Sequence, residues 1–197
     1  MPLLTPRTIE SGRLAALEQP ELPAEGGLRL RTWRDSDAPR VRAVYDDPAI
    51  QRWHARVLNS DDEALDLISG WRQSWVGETG ASWAITDGAE NLLGRVALHW
   101  LDVHDGIAGV AYWTTPGARG RGVCPRAVRA TARWAVSAGW HRLQLDHSVA
   151  NAASCRAAGK AGFMPEGTRR SAGLHADGWH DMHTHVLIAP DSELPGR

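Results

Sequence analysis

The chain of 197 residues is long enough for one domain with a sizeable core, and its hydrophobic (43%) and charged (23%) fractions are typical of an ordinary globular protein. A formal net charge of −1 leaves no basic excess to neutralise phosphates, which argues against nucleic-acid binding. The two cysteines predict free thiols, and the lack of a signal pattern or of an apolar run of about 20 residues predicts a cytoplasmic protein without a membrane span.

The first third of the chain predicts an arm, a strand and helices. Residues 1–27 are rich in Pro, Glu and Gly with weak periodicity, which predicts a loosely attached N-terminal arm with one short helix of its own. Residues 28–33 alternate and predict a strand, and an Asp-rich cap precedes a predicted helix over residues 38–45. Ser60 and Glu63 have the spacing of a capping box, which predicts the start of a longer helix.

The rest of the chain predicts strands interrupted by two helices. The predicted strands cover residues 82–86, 92–101, 107–115, 141–147, 163–170 and 181–188, and the predicted helices cover residues 121–138 and 151–161. This order is typical of the α/β (α+β) class, in which helices flank a mixed sheet. We therefore expect a single domain over residues 28–190 and a C-terminal tail over residues 191–197.

A turn that carries glycines and arginines is the clearest chemical signal. The run Arg119–Cys124 (Arg-Gly-Arg-Gly-Val-Cys) stands between a predicted strand and a predicted helix. Its glycines let backbone N–H groups approach a ligand closely, the helix start adds a partial positive charge, and the arginines add full charges. The turn is either a solvated loop or, as its composition favours, the binding site of a phosphate-bearing cofactor.

This turn and a later element resemble motifs of the GNAT acyl-CoA-dependent N-acetyltransferases. Arg119-x-x-Gly122-x-Cys124 is similar to the Arg/Gln-x-x-Gly-x-Gly/Ala turn that binds the CoA pyrophosphate in that family, except that Cys stands where Gly or Ala is usual. Asn151-x-x-Ser154, followed later by a Gly-Phe pair, is similar to the family's second element.

The C-terminal part of the chain narrows the resemblance to the Rim-type branch, the ribosomal-protein N-terminal acetyltransferases. Residues 165–169 (Pro-Glu-Gly-Thr-Arg) are similar to the Glu-Gly-Thr-x-Arg ending of that branch, and residues 83–85 and 94–96 resemble its second and third strands. The resemblance covers about residues 28–188. It implies the GNAT fold, with a mixed, mostly antiparallel sheet of six to seven strands and about four helices.

The resemblance also implies an activity. A GNAT enzyme transfers an acetyl or other short acyl group from acyl-CoA to a primary amine by direct attack in a ternary complex, so acetyl-CoA and coenzyme A are the expected cofactors and no metal is expected. The acceptor is a protein N-terminus or a small-molecule amine, and a homodimer is left open. The alternative is a non-catalytic acyl-CoA-binding or regulatory protein on the same fold. Neither a nucleic acid nor a membrane is an expected partner.

Together with the resemblance, the motifs define candidate site residues. The expected cofactor contacts are Tyr112, Trp113, Thr114, Arg119, Gly120, Arg121, Gly122, Val123, Cys124, Asn151, Ser154 and Arg156. The candidate catalytic residues are Ser154, as a donor to the CoA sulfur, Asn151 and His147. An aromatic-lined acceptor cleft is expected from Tyr45, Trp53, Trp75, Trp100 and His175.

The general base is left open by the sequence. The Rim-type branch often has Glu where Gly109 stands, and Glu-Ala where Arg126 begins the corresponding pair, so both usual carboxylate positions lack a carboxylate. The alternatives are His147 or Asp146 beside it, another histidine at 99 or 104 or in the last hairpin, or a relay through water.

The histidines of the last hairpin do not by themselves predict a metal site. They are spaced His180-x-x-His183-x-His185, and on a strand His180 faces away from the other two. No cysteine or paired-carboxylate pattern accompanies them, so the expectation from the sequence is that the site holds no metal.

Overall fold

The structure, a computed structural model, describes residues 7–190. The predicted tail over residues 191–197 and the first six residues of the predicted arm lie outside the described residues. The strands are β1 Leu22–Ala24, β2 Leu28–Arg31, β3 Gly80–Thr86, β4 Leu92–Asp102, β5 Ile107–Thr114, β6 Arg142–Ser148, β7 Met164–His175 and β8 Gly178–Ile188. The α-helices are α1 Ala38–Tyr45, α2 Pro48–His54, α3 Asp61–Val76, α4 Val123–Ser137 and α5 Ala152–Lys160.

All of these strands form one sheet in the order β1-β2-β3-β4-β5-β6-β8-β7. Every neighbouring pair is antiparallel except β5 and β6, so the predicted α/β class with a mostly antiparallel sheet is confirmed. The described residues contain eight strands and five α-helices, more than the predicted six to seven and about four. The additional strand β1 is only three residues long and contains Pro23, which hides it from pattern reading.

Helix starts follow the local chemistry of the sequence. The side chain of Ser60 accepts the N–H of Glu63 at 3.2 Å, as the capping-box spacing predicts, and α3 begins at the next residue. Asp47 caps α2 by accepting the N–H groups of Ala49 and Ile50 at 3.0 and 3.2 Å. Pro48 is suited to the first position of α2 because that position needs no N–H donor.

The sheet separates two cores, because alternate residues of a strand point to opposite faces. Trp83 and Ile85 of β3 belong to the larger core, which packs against α4 and α5. Ala84 between them belongs to the second core, which α1, α2 and α3 cover with Trp71 among its residues. Helix α2 belongs to the second core and helix α4 to the larger core. Residues of α2 and of the start of α4 line one cavity between them.

The segment before β2 is packed rather than loosely attached, which corrects the expectation for the described part of the arm, residues 7–27. Ile9 and Leu14 are 1% and 3% exposed and belong to the larger core. The backbone carbonyls of Leu17 and Pro20 accept hydrogen bonds from the indole N–H groups of Trp75 and Trp83, and no helix forms around residues 12–17. Contacts made by backbone carbonyls leave no periodic signal in a sequence.

The last two strands form a longer hairpin than predicted. β7 and β8 are paired from Met164 to His175, so the expected loop shrinks to Ala176 and Asp177. Gly173 lies within β7, and a Cβ atom there would lie 2.5 Å from the sulfur at the flexible end of the Met182 side chain on the partner strand. Within residues 7–190, no helix has both the length and the apolar character that crossing a membrane requires.

Candidate active site

The glycine turn leads directly into α4, as the sequence predicts. Gly120 and Gly122 have φ angles of 74° and 70°, in the left-handed region that glycine adopts at little cost, and Gly122 is the residue before the first turn of the helix. This conformation lets successive N–H groups point out of the helix start toward one place. Because these groups carry the positive end of the helix dipole, the turn is suited to bind an anion.

Arg126 holds the turn in place. Its guanidinium donates to the carbonyl oxygens of Gly122 and Arg121, at 2.9 Å each, and to the carbonyl oxygen of Glu25 at 3.1 Å. The approach is close, since a Cβ atom on Gly26 would lie 1.9 Å from the guanidinium. Arg126 stands where a carboxylate is usual in the Rim-type branch, and here it is a clamp on the turn.

Arg119 links the turn to α2. Its guanidinium contacts both carboxylate oxygens of Asp47, at 2.8 and 3.4 Å, while Asp47 also caps α2. Arg119 lowers the pKa of the Asp47 carboxyl, chiefly through this hydrogen bond. The pair fixes the distance between α2 and the turn, and sequence reasoning missed Asp47 because its partner lies 72 residues away.

A cleft of about 420 Å³ opens beside the turn. Its walls are α2, the end of β5, the start of α4 and one side of α5. All of the expected cofactor contacts line it except Arg121, whose side chain is exposed elsewhere. Lys160 also lines the cleft, and it could have been found because it lies one helical turn after Arg156 on α5.

The sheet divides next to this cleft. β5 and β6 pair only between Ile107–Gly109 and Arg142–Gln144. Beyond Gly109, β5 pairs only with β4 and β6 pairs only with β8. One edge of β5 over residues 110–112 therefore has no strand partner among residues 7–190, which leaves backbone groups free to bind a ligand.

A pair of hydroxyl groups lies at the end of the separated strand. The hydroxyl groups of Tyr112 and Ser154 are 2.5 Å apart, and the Tyr112 hydroxyl is also 3.2 Å from the carbonyl oxygen of Ser154. Asn151 caps α5 by accepting the N–H of Ser154 at 3.0 Å. Burial raises the pKa of Tyr112, so its hydroxyl stays protonated. If Tyr112 donates to Ser154, the Ser154 proton is free to point into the cleft.

Cys124 does not have the character of a nucleophile. Burial raises the pKa of its thiol far above the usual range, although the helix start would act in the opposite direction. Cys124 and Cys155 are both free. The thiol therefore acts as a wall of the cleft.

A second pocket, of about 210 Å³, adjoins the cleft. The two cavities share five residues, Trp53, His54, Tyr112, Asn151 and Ser154. Trp100 and His175, both expected in the acceptor cleft, line the second pocket, and the Nδ1–H group of His175 donates to the carbonyl oxygen of Trp53 at 3.2 Å. Neither Tyr45 nor Trp75 lines either cavity, because their rings are packed in the cores, 4% and 5% exposed.

His99 fills the space opposite Gly109. The two residues are direct partners across β4 and β5, and a Cβ atom on Gly109 would lie 2.8 Å from Nε2 of His99. Both residues line the second pocket. The imidazole thus occupies the volume that a larger side chain at position 109 would need. Position 109 is also one of the two positions at which the sequence lacks the carboxylate often found in the Rim-type branch.

Two histidines of the second pocket are held neutral. Burial, and then the charge of Arg95, lowers the pKa of His54 to about 4. The same two causes, in the same order, lower the pKa of His99, while the charge of Asp146 acts in the opposite direction; because His99 is also exposed to solvent, the effect of burial on its pKa is smaller than for His54. Arg95 itself lies over the ring of Trp71, 4.5 Å from its centroid, and donates to Ser82.

His147 borders the second pocket, but its ring lies elsewhere. It is stacked on the ring of His185, with centroids 5.0 Å apart, on the side of the sheet that faces α5. Burial lowers its pKa as well. A catalytic role for His147 stays a prediction. Its ring packs against another histidine rather than against residues of the larger cleft.

Comparison with known proteins defines the class to which this site belongs. The family model described as an acetyltransferase (GNAT) domain matches residues 27–164, more than half of the chain. The chain therefore belongs to the GNAT acetyltransferase family. No curated protein matches the chain at a significant level.

Solved structures share the fold over most of the chain. The ribosomal L7/L12 alpha-N-protein acetyltransferase RimL, in complex with coenzyme A, has a TM-score of 0.77 at 19% identity, covering 86% of this chain and 98% of its own. An acetyltransferase from Salmonella typhimurium that modifies the N-terminal serine of L7/L12 has a TM-score of 0.78 at 18% identity, with coverages of 87% and 100%. The microcin C7 self-immunity acetyltransferase MccE, in complex with acetyl-CoA and AMP, has a TM-score of 0.75 at 18% identity, with coverages of 83% and 93%.

Proposed function

We propose that this protein is an acyl-CoA-dependent N-acetyltransferase of Rim type, which transfers an acetyl or other short acyl group to a primary amine. One observation carries the proposal: two cavities meet at Tyr112, Asn151 and Ser154, where β5 and β6 separate. The larger cavity ends at an anion-binding turn, and the smaller one provides a separate place for a second substrate. Two substrates held side by side in this way can react directly in a ternary complex.

The larger cleft is the proposed place of coenzyme A. The N–H groups around Gly120 and Gly122 bind its pyrophosphate, and Arg156 and Lys160 add positive charge along the opposite wall. The thiol end then lies near Tyr112, with the pantetheine arm along the free edge of β5. Acyl-CoA supplies the activated acyl thioester, and no metal is needed for its transfer.

The residues between the two cavities have separate roles in the reaction. A backbone N–H group on the free edge of β5, within residues 110–112, is proposed to face the carbonyl oxygen that becomes negative during attack. His99, neutral at pH 7, accepts the proton that the attacking amine loses. The Ser154 hydroxyl, supported by Tyr112, donates a proton to the departing sulfur. Each proton that leaves the amine is thus matched by one delivered to the thiolate.

The acceptor is proposed to enter the second pocket. Its volume of about 210 Å³ is below the roughly 300 Å³ at which pockets begin to take drug-sized ligands, so it holds the reacting end of the acceptor rather than a large molecule. Trp53 and Trp100 form apolar walls, and Asp146 adds a carboxylate. A protein N-terminus and a small-molecule amine both fit this description, and the Rim-type resemblance favours the first. A homodimer and a cytoplasmic location stay predictions of the sequence.

The first test is thermal stabilisation by ligands. Coenzyme A, acetyl-CoA and succinyl-CoA at about 100 times their Kd are expected to raise the Tm by about 5–10 °C, whereas ATP and NAD are not. Gly122→Glu is expected to abolish the shift, because it places a carboxylate at the anion site and a strained φ at the helix start. Gly117→Glu is the matched control: Gly117 is exposed, lies outside the cleft and has open space around its Cβ position.

The second test separates the enzyme from a non-catalytic relative of the same fold. Turnover of acetyl-CoA is measured against peptides with free N-termini and against a panel of small amines. Turnover with one class identifies the acceptor. A CoA-specific stabilisation without turnover on any amine would support the regulatory alternative, and the absence of any CoA-specific shift in a cooperatively melting protein would contradict both.

A further inference from the structure

Three histidines and a cysteine form a cluster beneath α5 that the acyl-transfer site does not use. His147 of β6 and His183 of β8 are direct partners across the two strands, and His185 lies two residues further along β8 on the same face. Their ring centroids are 5.0–6.2 Å apart. Cys155, in the first half of α5, lies against these rings.

The donor atoms are close enough to share one ion. One ligand atom from each of His147, Cys155 and His183 lies within 4.8 Å of the others, and Sγ of Cys155 lies 3.8 Å from Nε2 of His185. In a tetrahedral zinc site with bonds of about 2.0–2.3 Å, neighbouring donor atoms are roughly 3.3–3.6 Å apart. Donor atoms that lie up to 4.8 Å apart would therefore need to approach one another by up to roughly 1.2–1.5 Å to reach this geometry.

The ring of His147 is already oriented as a ligand. Its Nδ1 lies 2.8 Å from the carbonyl oxygen of Ser148, and because a carbonyl only accepts, Nδ1 carries the proton. Nε2 is therefore unprotonated, and its lone pair is buried without a partner among the described residues. His147 as a whole is 5% exposed. A metal-bound histidine commonly donates its other N–H to a carbonyl in this manner. Such an unpaired buried acceptor is costly unless something binds it.

The chemistry of the cluster selects the class of ion. His185, which is 3% exposed, adds another imidazole beside the cluster, with its Nε2 facing the thiol of Cys155. Asp146 is bonded instead to Thr184, Gln144 and Arg169, so the cluster itself contains no carboxylate. Neutral imidazole and thiolate donors bind zinc-like transition metals, whereas Mg²⁺ and Ca²⁺ prefer oxygen.

We propose that His147, Cys155 and His183 bind one divalent transition-metal ion of the zinc class. The ion has a structural role: it ties α5 to β6 and β8 and thereby steadies the helix that begins at Asn151 and carries Ser154. The sequence alone does not predict this site because His147 and Cys155 lie far along the chain from the hairpin. Acyl transfer proceeds without chemistry at the ion.

The test is a titration of metal-free protein with Co²⁺, followed by absorbance. The expected result is one ion per chain, a thiolate-to-cobalt charge-transfer band in the near ultraviolet, and visible bands of tetrahedral intensity that Zn²⁺ removes by competition. Cys155→Ser is expected to abolish the charge-transfer band and to raise the Kd by about 100-fold or more. Cys124→Ser removes the other thiol of the chain and is expected to keep both the band and the affinity.

Thermal melting keeps the test independent of folding defects. Zn²⁺ is expected to raise the Tm of the wild type and of Cys124→Ser but not that of Cys155→Ser or His183→Gln, whose metal-free Tm values should stay near that of the wild type. Cobalt binding that is equally strong in Cys155→Ser, or that gives no charge-transfer band, would overturn the proposal, since it would report surface histidines. None of these readouts uses acyl-CoA, so they succeed or fail independently of the proposed activity.

Discussion

His99 and Gly109 show how the size of one residue decides what its partner can do. Because Gly109 has no side chain, the imidazole of His99 lies over it and faces the second pocket. The imidazole then stands where a carboxylate is usual in the Rim-type branch. A neutral histidine can accept a proton near pH 7 as a carboxylate with a raised pKa can, so the exchange preserves the chemistry that the position supplies.

His99→Gln is therefore expected to lower kcat by about 10²–10⁴-fold while leaving the CoA-induced Tm shift unchanged. The pKa of His99 is lowered by burial and by Arg95, and the base must be neutral to act. The acidic limb of the wild-type kcat/KM profile is accordingly expected below pH 6.5, the ordinary histidine value, and should disappear in the variant. Steady-state rates from pH 4.5 to 9 measure both.

Two variants serve as controls for His99. Gly109→Ala adds a methyl group that displaces the ring and is expected to lower kcat in the same direction, since the ring and a Cβ compete for one space. His104→Gln removes an imidazole that lines neither cavity and is expected to leave kcat unchanged. A kcat for His99→Gln close to that of the wild type would favour the relay through water instead.

At the residue scale, the sequence predicts what is local and misses what is paired over distance. Gly120 and Gly122 can be identified from the sequence alone, because two glycines in an arginine-bearing turn before a helix predict a left-handed backbone that can bind a phosphate. Asp47 cannot be found in this way, since its importance depends on Arg119, which lies on another element. The sequence offers His99 only as one of several histidines, because its pairing with Gly109 across β4 and β5 is visible only in the structure. The cluster of His147 with Cys155 is hidden for the same reason.

Among the elements, the start of α4 depends most on a contact from within the helix itself. Arg126 donates to the carbonyls that precede it in the turn and to Glu25 on the segment before β2. These bonds occupy carbonyl oxygens of the turn and tie it to the segment before β2. In the proposed anion site, Arg126 would therefore act by holding the backbone of the turn rather than by contacting the anion.

Arg126→Lys is expected to raise the Kd for CoA by about tenfold, because lysine keeps the charge but cannot span several carbonyls, and a lost charged hydrogen bond costs about 1.5–3 kcal/mol. Isothermal titration with CoA measures the change. Arg133→Lys on the same helix is the matched control, since Arg133 is exposed and its carboxylate contact with Glu25 is a long 3.8 Å. Equal affinities in the two variants would show that the turn holds its shape without the clamp.

The element boundaries follow the strength of their local signals. The predicted helix over 38–45 is observed at Ala38–Tyr45, and the strand predicted over 92–101 is Leu92–Asp102, since caps and alternation mark both. β1 was missed because a three-residue strand with a proline has no pattern. The sequence predicts a shorter hairpin of β7 and β8 because Gly173 and Gly178 are typical of a loop, whereas Gly173 lies within β7 beside the side chain of Met182.

At the scale of the whole molecule, the segment before β1 is part of the core. It brings Ile9 and Leu14 into the larger core and supplies carbonyl acceptors to two buried indole N–H groups. Glu78, at the end of α3, accepts N–H groups of this segment at Gly12 and Leu14, at 2.6 and 2.7 Å. The described segment is therefore fixed by the burial of Ile9 and Leu14, by hydrogen bonds from two indole N–H groups and by hydrogen bonds to the Glu78 carboxylate.

Ile9→Ala is expected to lower the free energy of unfolding by about 2–5 kcal/mol, the usual result of removing a large side chain from a core. The Tm should fall by about 5–15 °C. Leu17→Ala is the control in the same segment: Leu17 is 58% exposed and its contact with Trp75 is made by the backbone. Urea denaturation followed by tryptophan fluorescence measures the free energy of unfolding of both variants. Equal values for Ile9→Ala and Leu17→Ala would show that the segment is only loosely attached.

The narrow junction between β5 and β6 also bears on the order of folding. The strands β1 to β5 pair each with its neighbour in sequence, and β6, β7 and β8 form a second unit around a hairpin. Among residues 7–190, the strand pairing between the two units consists of three residue pairs of β5 and β6. Because this pairing is parallel, it requires the long connection through α4, and we expect it to form late. The proposed transfer site lies on this junction, so its residues come together only when the two units dock. We therefore expect CoA binding to appear late in refolding, after the two units have docked.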